Sequence, residues 1–152
     1  MSEKIWKELK DQNDLDELMN IFGRFHDSCI KESYMWTEHY VNEDLVMRLS
    51  VKRDVRVRIL IQRQCLNPSA IELMFEEVTK ILITPSPEDY DSLIYEATFL
   101  HTNGTFYWAD DRSWIPDEQG FSSGNWISSK KVKWRDASDW MGKTLRYAPK
   151  DI

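Results

Sequence analysis

The spacing of the apolar residues changes within this chain, and that change restricts the fold more than any other sequence feature. Four apolar residues near the N-terminus fall three and four positions apart, the spacing of one face of an amphipathic helix: Leu15, Leu18, Met19 and Phe22. Asn13 or Asp14 is the expected N-cap, and Gly23 is the expected C-terminal stop. From residue 28 onward, apolar and polar residues alternate, which is the period of a strand. A helix followed by a long series of strands predicts the α+β class.

The alternating segments predict the strands of the sheet. Their apolar rows are Leu45, Met47, Leu49 and Val51; Val55, Val57, Ile59 and Ile61; Ile71, Leu73 and Phe75; and Leu93, Tyr95, Ala97 and Phe99. A last strand pair is expected around residues 126–127 and 132–134. An earlier helical turn is expected at Ile5, Trp6 and Leu9, with a short strand as the alternative. We therefore predict one or two N-terminal helices, packed on a mainly antiparallel, curved meander of about six or seven strands.

The dipeptide Asn103-Gly104 predicts a hairpin and fixes its register. A two-residue type I′ turn needs positive φ at both positions, and asparagine and glycine tolerate it. The expected cross-strand pairs are Phe99 with Trp108, His101 with Phe106, and Ala97 with Asp110. This register places the Asp110 carboxylate on the apolar face, where a carboxylate is unusual.

Length and composition favour one domain spanning residues 1–152, in the cytoplasm and without a membrane partner. Cys29 and Cys65 lack CxxC spacing, so neither a disulfide scaffold nor a thiolate zinc site is expected. The N-terminus lacks the apolar core of a signal peptide. No apolar run approaches the roughly 20 residues of a membrane span.

The net charge of −6 argues against a nucleic-acid partner unless the basic residues gather on one face. One basic cluster comprises Arg48, Lys52, Arg53, Arg56, Arg58 and Arg63, and the other comprises Lys130, Lys131, Lys133 and Arg135. Arg56 and Arg58 should lie on the outward face of one strand, opposite the glutamates at 72, 76 and 77 on the next strand. Because opposite charges then cancel, no nucleic-acid partner is expected.

Phe25-His26-Asp27 lies where the helical pattern ends and the strand pattern begins. A histidine beside a carboxylate could bind a metal or act in catalysis. Consecutive residues on a strand point to opposite faces, however, so His26 and Asp27 are not expected to share one ion or substrate. We interpret them as a structural junction that bonds backbone groups freed at the helix exit. No metal, cofactor or catalytic residue is predicted.

Two groups of residues are candidates for binding. The glycine-rich stretch after Asp111 reads as a long loop, and it carries Trp114 and Phe121. Exposed aromatic residues on a loop are disfavoured in a free monomer, so these two either fold back onto the body of the protein or contact a partner. The second group is Trp108, Asp110 and His101, which would lie at the mouth of the sheet and could bind a small molecule or a saccharide.

Two short segments carry a resemblance to known proteins. Phe25-His26-Asp27-Ser28 after a short helix, and Ile71-Glu72-Leu73-x-Phe75-x-x-Val78 on a later strand, resemble small, mostly uncharacterised bacterial proteins. Some of those proteins look like immunity proteins of polymorphic toxin systems. The resemblance covers about the first half of the chain, implies an acidic α+β binding protein without catalysis, and assigns no functional residue.

The sequence therefore leaves two hypotheses of different class. The first is a non-catalytic, cytoplasmic protein-interaction domain, including an immunity-type inhibitor, whose acidic surface and loop aromatics contact another protein. The second is a small-molecule or saccharide-binding domain, with a hydrolase as its enzymatic form, that uses the mouth of the sheet. Neither hypothesis fixes the oligomeric state.

Overall fold

The computed structural model describes residues 4–116 and 124–150. Helix α1 spans Gln12–Ile21 and is followed by a 3₁₀ turn at Gly23–Phe25. The strands are β1 (Lys7–Leu9), β2 (Ser28–Trp36), β3 (Tyr40–Val41), β4 (Met47–Arg48), β5 (Arg56–Arg63), β6 (Ala70–Leu82), β7 (Thr98–Thr102), β8 (Thr105–Ala109) and β9 (Trp126–Asp136). The α+β class is confirmed, with one α-helix in the described residues and a strand at Lys7–Leu9 where a helical turn was the first expectation.

Seven strands form one antiparallel sheet, in the order β2-β5-β6-β9-β8-β7 with β1 paired to β9. The first half of β9 pairs with β8 and its second half pairs with β1, so β8 and β1 lie end to end beside it. Ser28 at the start of β2 forms a bridge with Ile94, ahead of β7, which brings the two far edges of the sheet together at one point. The sheet is therefore strongly curved but not closed.

Helix α1 begins and ends at residues whose side chains or backbone suit those positions. Asp11, rather than Asn13 or Asp14, is the N-cap, and its carboxylate accepts a hydrogen bond from the Asp14 backbone N–H. Gly23 has φ +58°, the left-handed conformation that terminates many helices, so the predicted stop is confirmed. Leu15, Leu18, Met19 and Phe22 are all buried against the sheet, as their spacing predicts.

The main core fills the space between α1 and the concave face of the sheet. Its sheet residues include Val57, Ile59, Ile61, Ile71, Leu73, Phe75, Phe99, Phe106, Trp108, Ile127, Val132 and Trp134. Phe25, at the end of the 3₁₀ turn, contacts the Trp108 ring edge to face, with 5.7 Å between the ring centroids. The hairpin register is confirmed, since Phe99 pairs with Trp108 and residues 101 and 106 pair in the same ladder.

A second, smaller core lies on the convex face of the sheet, beneath the C-terminal segment 137–150. Leu60, Ala70 and Ala137 form this core, and Trp140 and Tyr147 pack against it. Sequence periodicity did not predict this core, because Leu60 and Glu72 occupy strand positions that alternation assigns to solvent. The convex face is therefore interior where the C-terminal segment covers it.

Glu72 lies beneath this segment with its side chain fully buried. Its carboxylate accepts hydrogen bonds from Arg58, from Arg135 Nε at 2.6 Å and from the Tyr147 hydroxyl at 2.6 Å. Opposing charges between β5 and β6 were predicted, and the Arg58–Glu72 contact confirms them. Three donors, from two neighbouring strands and the C-terminal segment, thus meet at one carboxylate.

The far edge of the sheet, at β7, is covered by one side chain of α1. The Gln12 amide nitrogen donates to the Phe99 carbonyl oxygen at 3.1 Å, and its amide oxygen accepts from the His101 backbone N–H at 2.8 Å. These are the two bonds that a neighbouring strand would make there. Gln12 therefore replaces a strand along part of the β7 edge.

Three of the predicted strand rows are wrong in part. Residues 45–51 do not join the sheet and their apolar side chains are exposed, as described below. In the row that starts at Leu93, Tyr95 is exposed and only Ala97 and Phe99 are buried, because β7 does not begin until Thr98. The two expected final strands are one continuous strand, β9, and β9 lies between β6 and β8, so the sheet is not a simple meander.

Candidate functional site

The junction Phe25-His26-Asp27 is not a strand, which changes the geometry of its polar pair. Asp27 has φ +55°, so the backbone bends sharply ahead of β2. The bend brings His26 Nε2 to 3.3 Å from Asp27 Oδ2, whereas strand geometry would have separated the two side chains. His26 Nδ1 lies 2.8 Å from the Tyr95 carbonyl oxygen, so the histidine bonds backbone near β7 rather than at the helix exit. Phe25 is fully buried.

His26 lines an open cleft of about 610 Å³ between the junction and the end of β8. Other lining residues are Tyr95, Glu96, Asp110, Asp111 and Arg112. The volume is in the range of small-ligand sites, roughly 300–1,000 Å³. His26 and Asp110 therefore line the same cleft although they are far apart in the sequence. No local sequence motif could have predicted this.

The acidic residues of the cleft are already engaged by neighbouring protein groups. Both Asp110 oxygens accept hydrogen bonds from Asn125, one from its backbone N–H at 3.1 Å and one from its side-chain amide at 2.8 Å. Asp111 Oδ1 accepts from the Ser113 backbone N–H and hydroxyl, and these bonds hold the pKa of Asp111 below its ordinary value. Asp110 and Asp111 therefore hold neighbouring loop residues in place. Each oxygen of Asp110 already accepts a hydrogen bond from a protein donor.

Trp108, Asp110 and His101, predicted as one binding group, do not share a cleft. Trp108 is 1% exposed and packs in the main core. His101 lies near the hairpin tip, where its ring stacks on Phe106 with 4.2 Å between centroids. Asp110 follows β8 at the other end of the hairpin. The predicted pairing of Phe99 with Trp108 is correct. The hairpin nevertheless places His101 and Asp110 at its opposite ends, and Trp108 in the core.

Trp114, the first candidate binding residue of the loop after Asp111, is buried, with 6% of its surface exposed. Its ring packs between Tyr107, at 5.7 Å, and Trp126, at 5.3 Å between centroids. Of the two alternatives for a loop aromatic, Trp114 therefore folds back onto the sheet, and a direct contact of Trp114 with a partner stays a prediction. Phe121, the other loop aromatic, lies outside the described residues.

A short hairpin leaves the sheet between β2 and β5, and we call residues 37–54 the arm. Strands β3 and β4 pair only with each other in a separate two-stranded sheet. At the tip, Asn42 Oδ1 accepts hydrogen bonds from the backbone N–H groups of Asp44 and Val46, both at 3.0 Å. At the base, the nearly buried Asp54 accepts from the Glu38 backbone N–H at 3.1 Å. The arm is thus fixed by hydrogen bonds at both ends.

The arm exposes apolar side chains that a lone domain would be expected to bury. Leu45 is 86% exposed and Val51 is 100% exposed. Five further apolar residues of the arm are exposed: Tyr40, Val41, Val46, Met47 and Leu49. Tyr34 and Met35, at the end of β2 where the arm begins, are also exposed. The largest concentration of exposed apolar residues in the described chain therefore lies on one projecting hairpin.

The sequence signal at residues 42–44 could have separated the arm from the sheet. Asn42-Glu43-Asp44 is a cluster of turn-forming residues in front of the apolar row. A turn at this place divides the segment into two very short strands, too short to span a sheet of this kind. The alternation of apolar and polar residues predicts an extended backbone. It does not indicate which other strand, if any, pairs with that segment.

Comparisons with known proteins add no relative: no family model, no curated protein and no solved structure matches the chain. Within residues 4–116 and 124–150, no helix is long and apolar enough to cross a membrane. The same residues contain no group of three histidine, cysteine, aspartate or glutamate side chains placed to bind a metal. The arm is consequently the candidate site that geometry distinguishes most clearly.

Proposed function

We propose that this protein is a protein-interaction domain and that the arm, residues 37–54, is its contact surface. The observation that carries this proposal is the row of seven exposed apolar side chains held on a hydrogen-bonded hairpin. The arm thus concentrates exposed apolar side chains on one hairpin, and large exposed apolar patches are typical of sites that contact another protein.

The construction of the arm supports this function. A flexible segment would lose conformational entropy on binding, which subtracts from affinity. Hydrogen bonds that backbone N–H groups donate to Asn42 at the tip and to Asp54 at the base already fix the backbone, so less conformational entropy is lost on binding. Tyr40 and Met47 add residue types that are enriched in interface cores.

An immunity-type inhibitor is the more specific form of this proposal. It is supported by the resemblance at Phe25-His26-Asp27-Ser28 and by the net charge of −6. An acidic surface accelerates association with a basic protein through long-range attraction. In this form the arm would supply the apolar contact and the remaining surface would steer the encounter.

The second hypothesis, binding of a small molecule or a saccharide, stays a prediction. The cleft beside His26 has the volume for such a ligand, but the three residues that were expected to bind it are dispersed. Asp110 is bonded to Asn125 and Trp108 belongs to the core. The arm therefore supports protein interaction more directly than the cleft supports ligand binding.

The test is site-specific photocrosslinking in cells that produce the full chain. A photoreactive amino acid replaces Leu45 or Val51 on the arm, and Tyr90, which is 75% exposed and outside the arm, is the matched control position. We expect discrete crosslinked protein products from positions 45 and 51 and none from position 90. Absence of products at all three positions, or equal products at all three, would refute an interaction through the arm.

A further inference from the structure

We infer that the partner of the arm is a second copy of this chain, with the two arms lying antiparallel about a two-fold axis. This inference rests on the proposed function and names the partner. In a two-fold interface the same surface occurs on both sides, so the surface must be complementary to itself. The arm meets this requirement in its charges and in its apolar side chains.

The arm carries charges of opposite sign at its two ends, with the exposed Arg48 of β4 between them. Glu43 and Asp44 are exposed at the tip, whereas Lys52 and Arg53 are exposed at the base. Within the described residues, none of these four side chains forms an ion pair. When two arms lie antiparallel, the acidic tip of each meets the basic base of the other, and two opposite-charge contacts form at once.

The acidic residues at the base do not cancel this arrangement. Glu38 forms an ion pair with Arg56, and Asp54 is nearly buried with His39 Nε2 at 3.8 Å. Both carboxylates are therefore occupied inside the protomer, which leaves Lys52 and Arg53 as the charges that an approaching tip encounters. A parallel arrangement of the arms would instead place like charges together, and that repulsion disfavours it.

The exposed apolar residues of β3 and β4 lie between the base and the tip of the arm, together with the exposed Arg48. Tyr40 and Val41 lie on β3, and Met47 lies on β4, paired with Val41. In the antiparallel arrangement one face of this central region meets its own copy, so the apolar side chains on that face of one protomer are covered by the other. An apolar centre with a charged rim is the anatomy of a stable protein interface.

The first test measures the mass of the purified full chain by sedimentation velocity, from about 1 μM to about 1 mM, which spans weak and moderate affinities. We expect a species of twice 18.1 kDa at the higher concentrations. The double variant Leu45→Ser/Val51→Ser should raise the dissociation constant by about 100-fold, since each protomer loses two apolar contacts. Tyr90→Ser is the matched control, and circular dichroism checks that every variant is folded.

The second test exchanges the charges. Glu43→Lys/Asp44→Lys makes both ends of the arm basic, and Lys52→Glu/Arg53→Glu makes both ends acidic. Each variant alone should associate about tenfold more weakly than the natural chain, because its like charges meet across the axis. A mixture of the two variants should form the heterodimer, since each basic end then meets an acidic end. In a parallel arrangement like charges would already meet in the natural chain, so the weaker association of each variant alone is what distinguishes the antiparallel pairing. The rescue by mixing shows that the loss comes from charge and not from loss of folding.

The results separate this inference from the proposed function. A natural chain that stays at 18.1 kDa throughout, or charge variants that are not rescued by mixing, would overturn the second-copy inference. If photocrosslinks from position 45 then identify another protein, the interaction function stands with a different partner. If position 45 gives no crosslink to either protein, the interaction function fails as well.

Discussion

The buried carboxylate of Glu72 gives the sharpest prediction of stability. Replacing it by glutamine keeps the side-chain shape and removes the charge that faces Arg58 and Arg135. Removing one partner of a buried ion pair costs about 3–5 kcal/mol, because the other charge stays buried without compensation. The side chains of Arg58 and Arg135 are 24% and 16% exposed, so water compensates them in part and the lower value, about 3 kcal/mol, is expected.

The assay for Glu72→Gln is urea unfolding followed by tryptophan fluorescence. With a slope of about 1–3 kcal/mol per molar urea, a loss of about 3 kcal/mol lowers the midpoint by roughly 1–3 M. The same loss lowers the melting temperature by roughly 6–12 °C for a chain of this size.

Glu76→Gln is the matched control on the same strand. Its carboxylate is 27% exposed and makes ion pairs with Arg56 at 3.6 Å and Lys133 at 3.3 Å. Such partly solvated pairs contribute about 1 kcal/mol or less. If Glu72→Gln destabilised the protein no more than Glu76→Gln, the conclusion that a buried charge network secures the C-terminal segment would be refuted.

Three further predictions concern single side chains. Burial and the neighbouring Glu72 raise the pKa of Tyr147, so the unfolded chain loses the hydroxyl proton at a lower pH than the folded chain does. The free energy of unfolding should therefore fall above about pH 10. Tyr147→Phe should make that fall smaller in unfolding titrations at alkaline pH. Trp114→Ala should cost about 3–5 kcal/mol in thermal unfolding if the side chain is core, and a loss below that of an exposed Tyr90→Ala control would contradict this assignment. Asp11→Ala should cost about 1 kcal/mol through the lost N-cap, whereas Asp16→Ala, inside α1, should cost less by the same assay.

The elements that the sequence predicts well are those determined by neighbours along the chain. The spacing of Leu15, Leu18 and Phe22 selects one helical face, and Gly23 ends the helix through its own backbone freedom. The two-residue turn at residues 103–104 sets the pairing of Phe99 with Trp108 directly, since register follows from turn length. In each case the physical cause lies within about ten residues.

The features that the sequence did not predict depend on segments that are distant along the chain. The sequence pattern places Glu72 on the outward face of its strand. Only the fold shows that Tyr147, from the C-terminal segment, covers it. The cleft joins His26 to Asp110 through the fold alone. Leu45 and Val51 have the alternation of a sheet strand, but whether such a row is buried depends on a neighbouring surface that this chain does not place there. From the sequence, these residues were therefore expected within the sheet, and the arm was not among the candidate binding residues.

The two hydrogen bonds of Gln12 bear on how this protein avoids aggregation. A bare edge strand is a template on which other chains can add, and proteins commonly block such edges with charge, proline or a covering element. Here a side-chain amide on α1 occupies the acceptor of Phe99 and the donor of His101. Because the blocking group belongs to the helix, any event that detaches α1 would uncover the β7 edge and the core together. Protection against fibril growth is therefore tied to the docking of a single helix.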